Sequence, residues 1–225
     1  MSQAEKTGVS DGPPIFIQAP NSIQVPSASR GLSKALLLGL LILFTAIWFS
    51  NLEYRKLIGP DEGRYAEIGR EMALSGDWVT PRLNDLKYFE KPPLQYWAAA
   101  AAFRIFGDHH WAARWWPATT TFACVLLMFW TARRLYGDEE IALSAAAALG
   151  GCSGFIIDSH INTLDAGLAA FLTIALLSFL LAQRPGATPT ENRNGMLVVW
   201  AALALAALGT GLIGLVLPGA VLAIY

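Results

Sequence analysis

Where this chain carries no charge decides what it can fold into. Five runs contain no Asp, Glu, Lys or Arg: Ala35 to Leu52, Trp115 to Ala132, Ile141 to Ile157, Ala166 to Gln183, and Asn194 to Tyr225. A helix needs ~20 apolar residues to cross the ~30 Å hydrocarbon core of a bilayer, and the first four runs, each about that long, predict one transmembrane helix apiece. As a single helix the last run would be about 48 Å long at 1.5 Å per residue, more than the core accommodates. Gly209, Gly211, Gly214 and Pro218 interrupt it, so a break near Gly209 to Gly214 predicts a fifth and a sixth span. Composition agrees: 54% of the residues are apolar and 15% charged, against ~25% charged in ordinary soluble domains. The predicted fold class is all-α, a polytopic membrane helix bundle. Sixteen Lys/Arg stand against 17 Asp/Glu, for a net charge of −1, so no basic excess draws the chain to nucleic acid.

Residues 1–29 are rich in Pro, Ser and Gly and predict a disordered tail; residues 30–225 form the membrane domain. No small-residue cleavage pattern follows the first run, which reads as an uncleaved anchor. Arg30 and Lys34 flank the first span, Arg133 and Arg134 close the second, and Arg184 and Arg193 separate the fourth from the fifth. Alternating spans put these three positions on one side, the cytoplasm by the positive-inside rule. The tail then lies in the cytoplasm, whereas Glu53 to Arg114 and Asp158 to Asp165 face outward. Cys124 and Cys152 fall on different spans in apolar surroundings and read as buried small hydrophobes rather than a disulfide or metal pair.

The Glu53 to Arg114 loop holds nine basic and nine acidic residues and is much longer than a connector needs to be, which marks it as functional. After Pro60, the residues Tyr65, Ile68, Met72 and Ala73 recur at helical spacing, Asp61 and Glu62 stand in the first turn, and Gly76 supplies a stop. This predicts an amphipathic helix along the membrane surface. Pro92 to Phe103 is too short to span and predicts a second juxtamembrane helix, with Tyr96, Trp97, Trp111, Trp115 and Trp116 at headgroup depth. His109 and His110 read as loop residues rather than ligands. Asn162 or Thr163 can cap the fourth span, which leaves Asp165 in its first turn. Asp61 and Asp165 then share the outward face, and two carboxylates with a nearby lysine suit acceptor positioning and neutralisation of an anionic leaving group. Asp158 and His160 border the same turn, and a polar surface role fits Asp158 as well as a site role does.

The strings Pro60-Asp61-Glu62-Gly63-Arg64-Tyr65-Ala66-Glu67-Ile68, Ser75-Gly76-Asp77-Trp78-Val79-Thr80-Pro81-Arg82-Leu83 and Tyr88-Phe89-Glu90-Lys91-Pro92-Pro93-Leu94 resemble the first outward loop of the polyprenyl-phosphate-dependent GT-C glycosyltransferases. The similarity runs from about Leu52 to Tyr225 and points to the bacterial 4-amino-4-deoxy-L-arabinose transferases of lipid A, relatives of the protein O-mannosyltransferases. The resemblance implies an inverting enzyme of the bacterial inner membrane whose active site faces the periplasm. Its partners would be an undecaprenyl-phosphate-linked sugar, a lipid A acceptor and the bilayer. Asp61 and Asp165 match the family's catalytic acids, Lys91 the position that meets the carrier-lipid phosphate, and Glu90 one associated with a divalent metal, zinc or magnesium. Arg64, Tyr65 and Tyr88 match cavity-lining positions.

Members of that family are longer, with further spans and an outward C-terminal domain, so the chain corresponds to the N-terminal part. Where relatives carry Thr-Lys-Gly, this chain reads Gly209-Thr210-Gly211 and lacks one cation. A protein O-mannosyltransferase-like enzyme, a transporter component, a non-catalytic subunit and an inactive truncated fragment remain as alternatives, although no internal repeat of the transporter kind is visible.

Overall fold

The computed structural model describes residues 33–224, so the expected tail at 1–29 lies outside the described residues. Helix α1 (Lys34–Phe49) is capped by the Ser33 hydroxyl, which accepts from Leu36 N at 3.2 Å. Helices α2 (Asp61–Ser75) and α3 (Leu94–Phe106) follow, with a small hairpin of β1 (Arg82–Leu83) and β2 (Leu86–Lys87) between them. The remaining helices are α4 (His110–Tyr136), α5 (Glu139–Gly150), α6 (Ser153–Ser159), α7 (Leu164–Ala182), α8 (Pro189–Thr210) and α9 (Ile213–Ile224).

The apolar runs form helices, but not as six equal spans. Among the described residues, α7 and α8 are long and apolar enough to cross a membrane, and the α5–α6 pair counts as a third if taken as one bent span. Ile141 to Ile157 is therefore not one straight helix: its halves meet at 64°. The bend falls at Gly151 and Cys152, where a Cβ on Gly151 would sit 2.9 Å from the Ala147 carbonyl oxygen. Cys152 is exposed at this break rather than buried, whereas Cys124 is buried as expected. Helix α1 has 16 residues, or about 24 Å at 1.5 Å per residue. It turns Leu38, Ile42 and Ile47 outward and packs through Phe44, Trp48 and Phe49 against α4. The last run does break, between Thr210 and Ile213, and α9 folds back so closely that a Cβ on Gly214 would lie 2.7 Å from Ala206.

In the long loop, α2 spans the predicted residues, and Gly76 ends it with a left-handed φ of 74° and an N–H that donates to Met72 O. The predicted face of Tyr65, Ile68 and Met72 is buried, against α3 rather than against the surface of a bilayer. Tyr96 correspondingly has 0% exposure, packed between α2 and α3. Close approach of the two helices is set at Gly69, where a Cβ would stand 2.7 Å from that of Ala99. The hairpin pairs Arg82 with Lys87 and Leu83 with Leu86. Its central residues, Asn84 and Asp85, have φ of 53° and 64°, the signature of a two-residue primed turn. The Glu71 carboxylate accepts from both their backbone N–H groups and ties the turn to α2.

Candidate active site

Glu62 is the centre about which the outward-predicted segments assemble. Its carboxylate is 1% exposed and accepts from Arg114 Nε at 2.7 Å, from Arg55 at 2.8 Å, from Ile58 N at 2.8 Å and from Asn162 N at 3.1 Å. One carboxylate thus joins the α1–α2 linker, α2, α4 and the α6–α7 connection. Arg114, also 1% exposed, spends its other N–H groups on the Leu52, Arg55 and Lys56 carbonyls. This corrects the loop boundary: α4 begins at His110 and carries Arg114 into the interior. Burial alone would raise the Glu62 pKa, but hydrogen bonds from Arg114, Arg55 and the two backbone amides outweigh it and hold the carboxyl at about 2.

Two further links secure the same end of the bundle. The buried side-chain amides of Gln95 and Asn162 meet at 2.6 Å, and one His160 ring nitrogen lies 2.8 Å from the Trp48 carbonyl oxygen. Trp48 in turn donates from Nε1 to Ala118 O at 3.0 Å. The end of α1, the start of α4 and the α6–α7 turn therefore come together, as alternation of the spans requires.

The predicted site residues lie on α2, on the segment that leads into α3 and at the start of α7. Asp61 and Asp165 occupy the first turns of α2 and α7, both exposed. Arg64 pairs with Asp61 and its guanidinium lies 5.4 Å from the centroid of the Tyr65 ring. The Asp61 pairing holds the Arg64 pKa above its usual value. Tyr88 donates to Glu90 at 2.6 Å and lies edge-on to Tyr96, with ring centroids 6.4 Å apart. Desolvation and then the Glu90 hydrogen bond push Tyr88 up to about 12. Burial raises the Tyr65 hydroxyl, Arg64 opposes that, and the charges of Asp61, Glu90 and Asp165 all act on it in the raising direction. Asp158, on α6, is near enough to Asp165 to feel its charge, although the helix stops at Ser159 and the two do not share a continuous face. Lys91 is half-buried, two residues before the α3 N-cap, and forms no ion pair among the described residues.

Thr163 does occupy the α7 N-cap position, but its side chain makes no capping hydrogen bond. His109 is the α4 N-cap residue, whereas His110 opens that helix rather than lying in a loop. Among the described residues no three His, Cys, Asp or Glu side chains converge to hold a metal ion, and Glu90 is engaged by Tyr88. These residues alone do not make a metal centre. Sequence reasoning treated Glu62 as a charged helix start and missed Arg114, Gln95 and Asn162. Glu62 shares the buried face of Tyr65, Ala66 and Gly69, which is a readable signal.

Residues 34–225 match the model of the dolichyl-phosphate-mannose-protein mannosyltransferase family. The chain belongs to this family. It is 38% identical over 194 residues to undecaprenyl phosphate-alpha-4-amino-4-deoxy-L-arabinose arabinosyl transferase 1 of Proteus mirabilis, covering 84% of this chain and 34% of that protein. The corresponding transferase of Aeromonas hydrophila is 34% identical over 187 residues, 82% of this chain and 34% of its own length. The crystal structure of ArnT from Cupriavidus metallidurans bound to undecaprenyl phosphate superposes with a TM-score of 0.83 at 39% identity, covering 86% of this chain and 36% of that one. Its apo form gives 0.79 at 41% identity, over 84% and 36%. The chain spans about a third of the length of these relatives. Membership of this mannosyltransferase family and its apolar helices make the chain an all-α polytopic membrane protein.

Proposed function

We propose that the chain is the N-terminal part of an inverting glycosyltransferase that moves 4-amino-4-deoxy-L-arabinose from undecaprenyl phosphate to lipid A. The active centre would face the periplasm from the bacterial inner membrane. The observation that carries this reading is the buried Glu62 carboxylate, which binds Arg114 and the Asn162 backbone amide and so holds the starts of α2 and α7, with Asp61 and Asp165, at one end of the bundle. Support for the substrate class comes from relatives named for undecaprenyl phosphate-linked aminoarabinose transfer.

In this scheme an acceptor oxygen forms a bond to C1 of the sugar as the C1–O bond to the carrier phosphate breaks, and the bond electrons leave with the phosphate. Lys91 meets the charge that develops on it. Attack from the face opposite the leaving group inverts the anomeric centre. A lipid A phosphate is already ionised, so Asp61, steadied by Arg64, orients the acceptor rather than removing a proton. With a protein hydroxyl as acceptor the same carboxylate would take the proton, as in the alternative reading. Asp165 completes the acidic rim opposite Asp61. A divalent ion at Glu90 is part of the proposal only with ligands from outside the described residues.

The test is transfer from undecaprenyl-linked aminoarabinose in nanodiscs, offered lipid A or a Ser/Thr peptide and followed by mass spectrometry. Modified lipid A from the wild type, lost in Asp61→Asn, is expected. Modified peptide with unmodified lipid A would replace the acceptor assignment.

A further inference from the structure

His160 stands between two helix ends that have no basic residue of their own. Its Nε2 lies 2.8 Å from the Trp48 carbonyl oxygen, in the last turn of α1, and its Nδ1 lies 2.8 Å from the Ile156 carbonyl oxygen, in the last turn of α6. The last carbonyls of a helix lack backbone partners and carry the negative end of its dipole, which favours a cation. A carbonyl oxygen only accepts, so a ring that serves both must donate from both nitrogens, and the imidazolium is the form with two N–H groups. The Ser159 hydroxyl points the same way. It donates to the Ile156 oxygen at 2.6 Å, and with its single proton used there it faces Nδ1, 2.5 Å away, as a further acceptor.

We propose that His160 is a positioning residue for Asp165 and that it works as the imidazolium, fastening α1 to the turn that opens α7. Residues 160–163 of that turn are held on their other side by Glu62, which accepts from Asn162 N, and by Arg55, which donates to the His160 carbonyl at 2.7 Å. The His160 ring supplies the bond to the α1 helix itself, and Trp48 is fixed in turn to α4 through Ala118. Helix α7 starts at Leu164 with Asp165 in its first turn, so a displacement of residues 160–163 is passed on to that carboxylate. The charged groups around the ring are Arg55 on its carbonyl, Glu62 paired with Arg55, Arg114 behind Glu62, Asp158 on α6 and Asp165 on α7. Helix α1 carries only Lys34, at its far end. Raising the pH removes one N–H from the ring, and one of the two helix ends then loses its donor. The proposal rests on the sugar-transfer reading only in the work it gives Asp165; the fastening itself is judged without it.

The deciding experiment is hydrogen exchange of the full chain in nanodiscs, followed by mass spectrometry of the segment 157–164, at about pH 5 and about pH 8, the limits between which imidazole changes charge. Wild type is compared with His160→Gln, whose amide can donate to one carbonyl but does not titrate. A hydrogen bond from a charged donor shifts a local opening equilibrium by about 10- to 150-fold. The expected result is that the Gln variant exchanges this segment about 10-fold or more faster than wild type at the lower pH and like wild type at the higher. A ratio that is the same at both values means a neutral ring or a packing role, and overturns the proposal. The wild type alone supplies the same test should the variant misfold: its protection, corrected for the intrinsic rate, should fall as the pH rises, and constant protection is the contrary result. In the transfer assay kcat should follow the same pH course while KM stays put, and a kcat indifferent to His160→Gln overturns the role toward Asp165. A wild type that transfers nothing removes the sugar-transfer reading and that role with it, while exchange still decides the fastening.

Discussion

Glu62 shows how one side chain can be legible in sequence yet misread. Its neighbour Asp61 and its place in the first turn suggest a solvated carboxylate favoured by the helix dipole, and that account serves Asp61. Glu62, however, lies three, four and seven residues before Tyr65, Ala66 and Gly69, so it points into the protein and must find cations there. Arg114 was hidden for the opposite reason: a charge bounding an apolar run reads as the end of a loop, and only the tertiary structure shows it paired inside α4. Removing one partner of a buried ion pair leaves the other uncompensated, at a cost on the order of 3–5 kcal/mol. Arg114→Ala is expected to lower thermal stability by that amount, measured by detergent-phase unfolding, and an unchanged melting temperature would rule out the anchor. Because the Glu62 carboxyl is held at about 2 against an ordinary 4.5, its stabilisation is complete above pH 4.5 and drains away as pH falls toward 2. Glu62→Gln should flatten that part of the acid-unfolding profile relative to wild type.

Among elements, the helices were readable because apolar runs and the three-to-four spacing of α2 declare themselves without tertiary help. The hairpin was not, since two-residue strands are too short to show alternation and only Asn84-Asp85 signals the turn. That turn predicts its own mutational pattern. Asp85→Gly suits the left-handed φ of 64° and should preserve stability, whereas Asp85→Val should open the hairpin and expose the β1–β2 segment to limited proteolysis. The α2–α3 contact is tighter still. Gly69→Ala places a methyl 2.7 Å from Ala99 and is expected to cost about 1–3 kcal/mol through overpacking, read as a lowered unfolding midpoint; full retention would mean the helices can separate freely. Span boundaries were the least readable feature. The α5–α6 bend falls at Gly151, where a Cβ would stand 2.9 Å from the Ala147 carbonyl oxygen, a local steric fact that hydropathy does not register.

At the scale of the molecule, topology was the most informative inference from sequence. Alternating crossings place the α1–α2 linker, α2, α3 and the α6–α7 turn at one end, and the bonds of Glu62 to Arg55, Ile58 and Asn162, with Gln95 on Asn162, join those same parts of the chain. The number of fully formed spans was less legible, because α1 and α9 are short and α4 carries a threonine run at Thr119 to Thr121. The proposed function requires Asp61 and Asp165 to lie on one side of the membrane. The direct measurement is labelling of Asp61→Cys and Asp165→Cys, each in a Cys152→Ser background, with a membrane-impermeant maleimide applied to sealed vesicles of known orientation. Both positions should react from the periplasmic side and be protected from the cytoplasmic side. Reaction of one from each side would contradict the shared site.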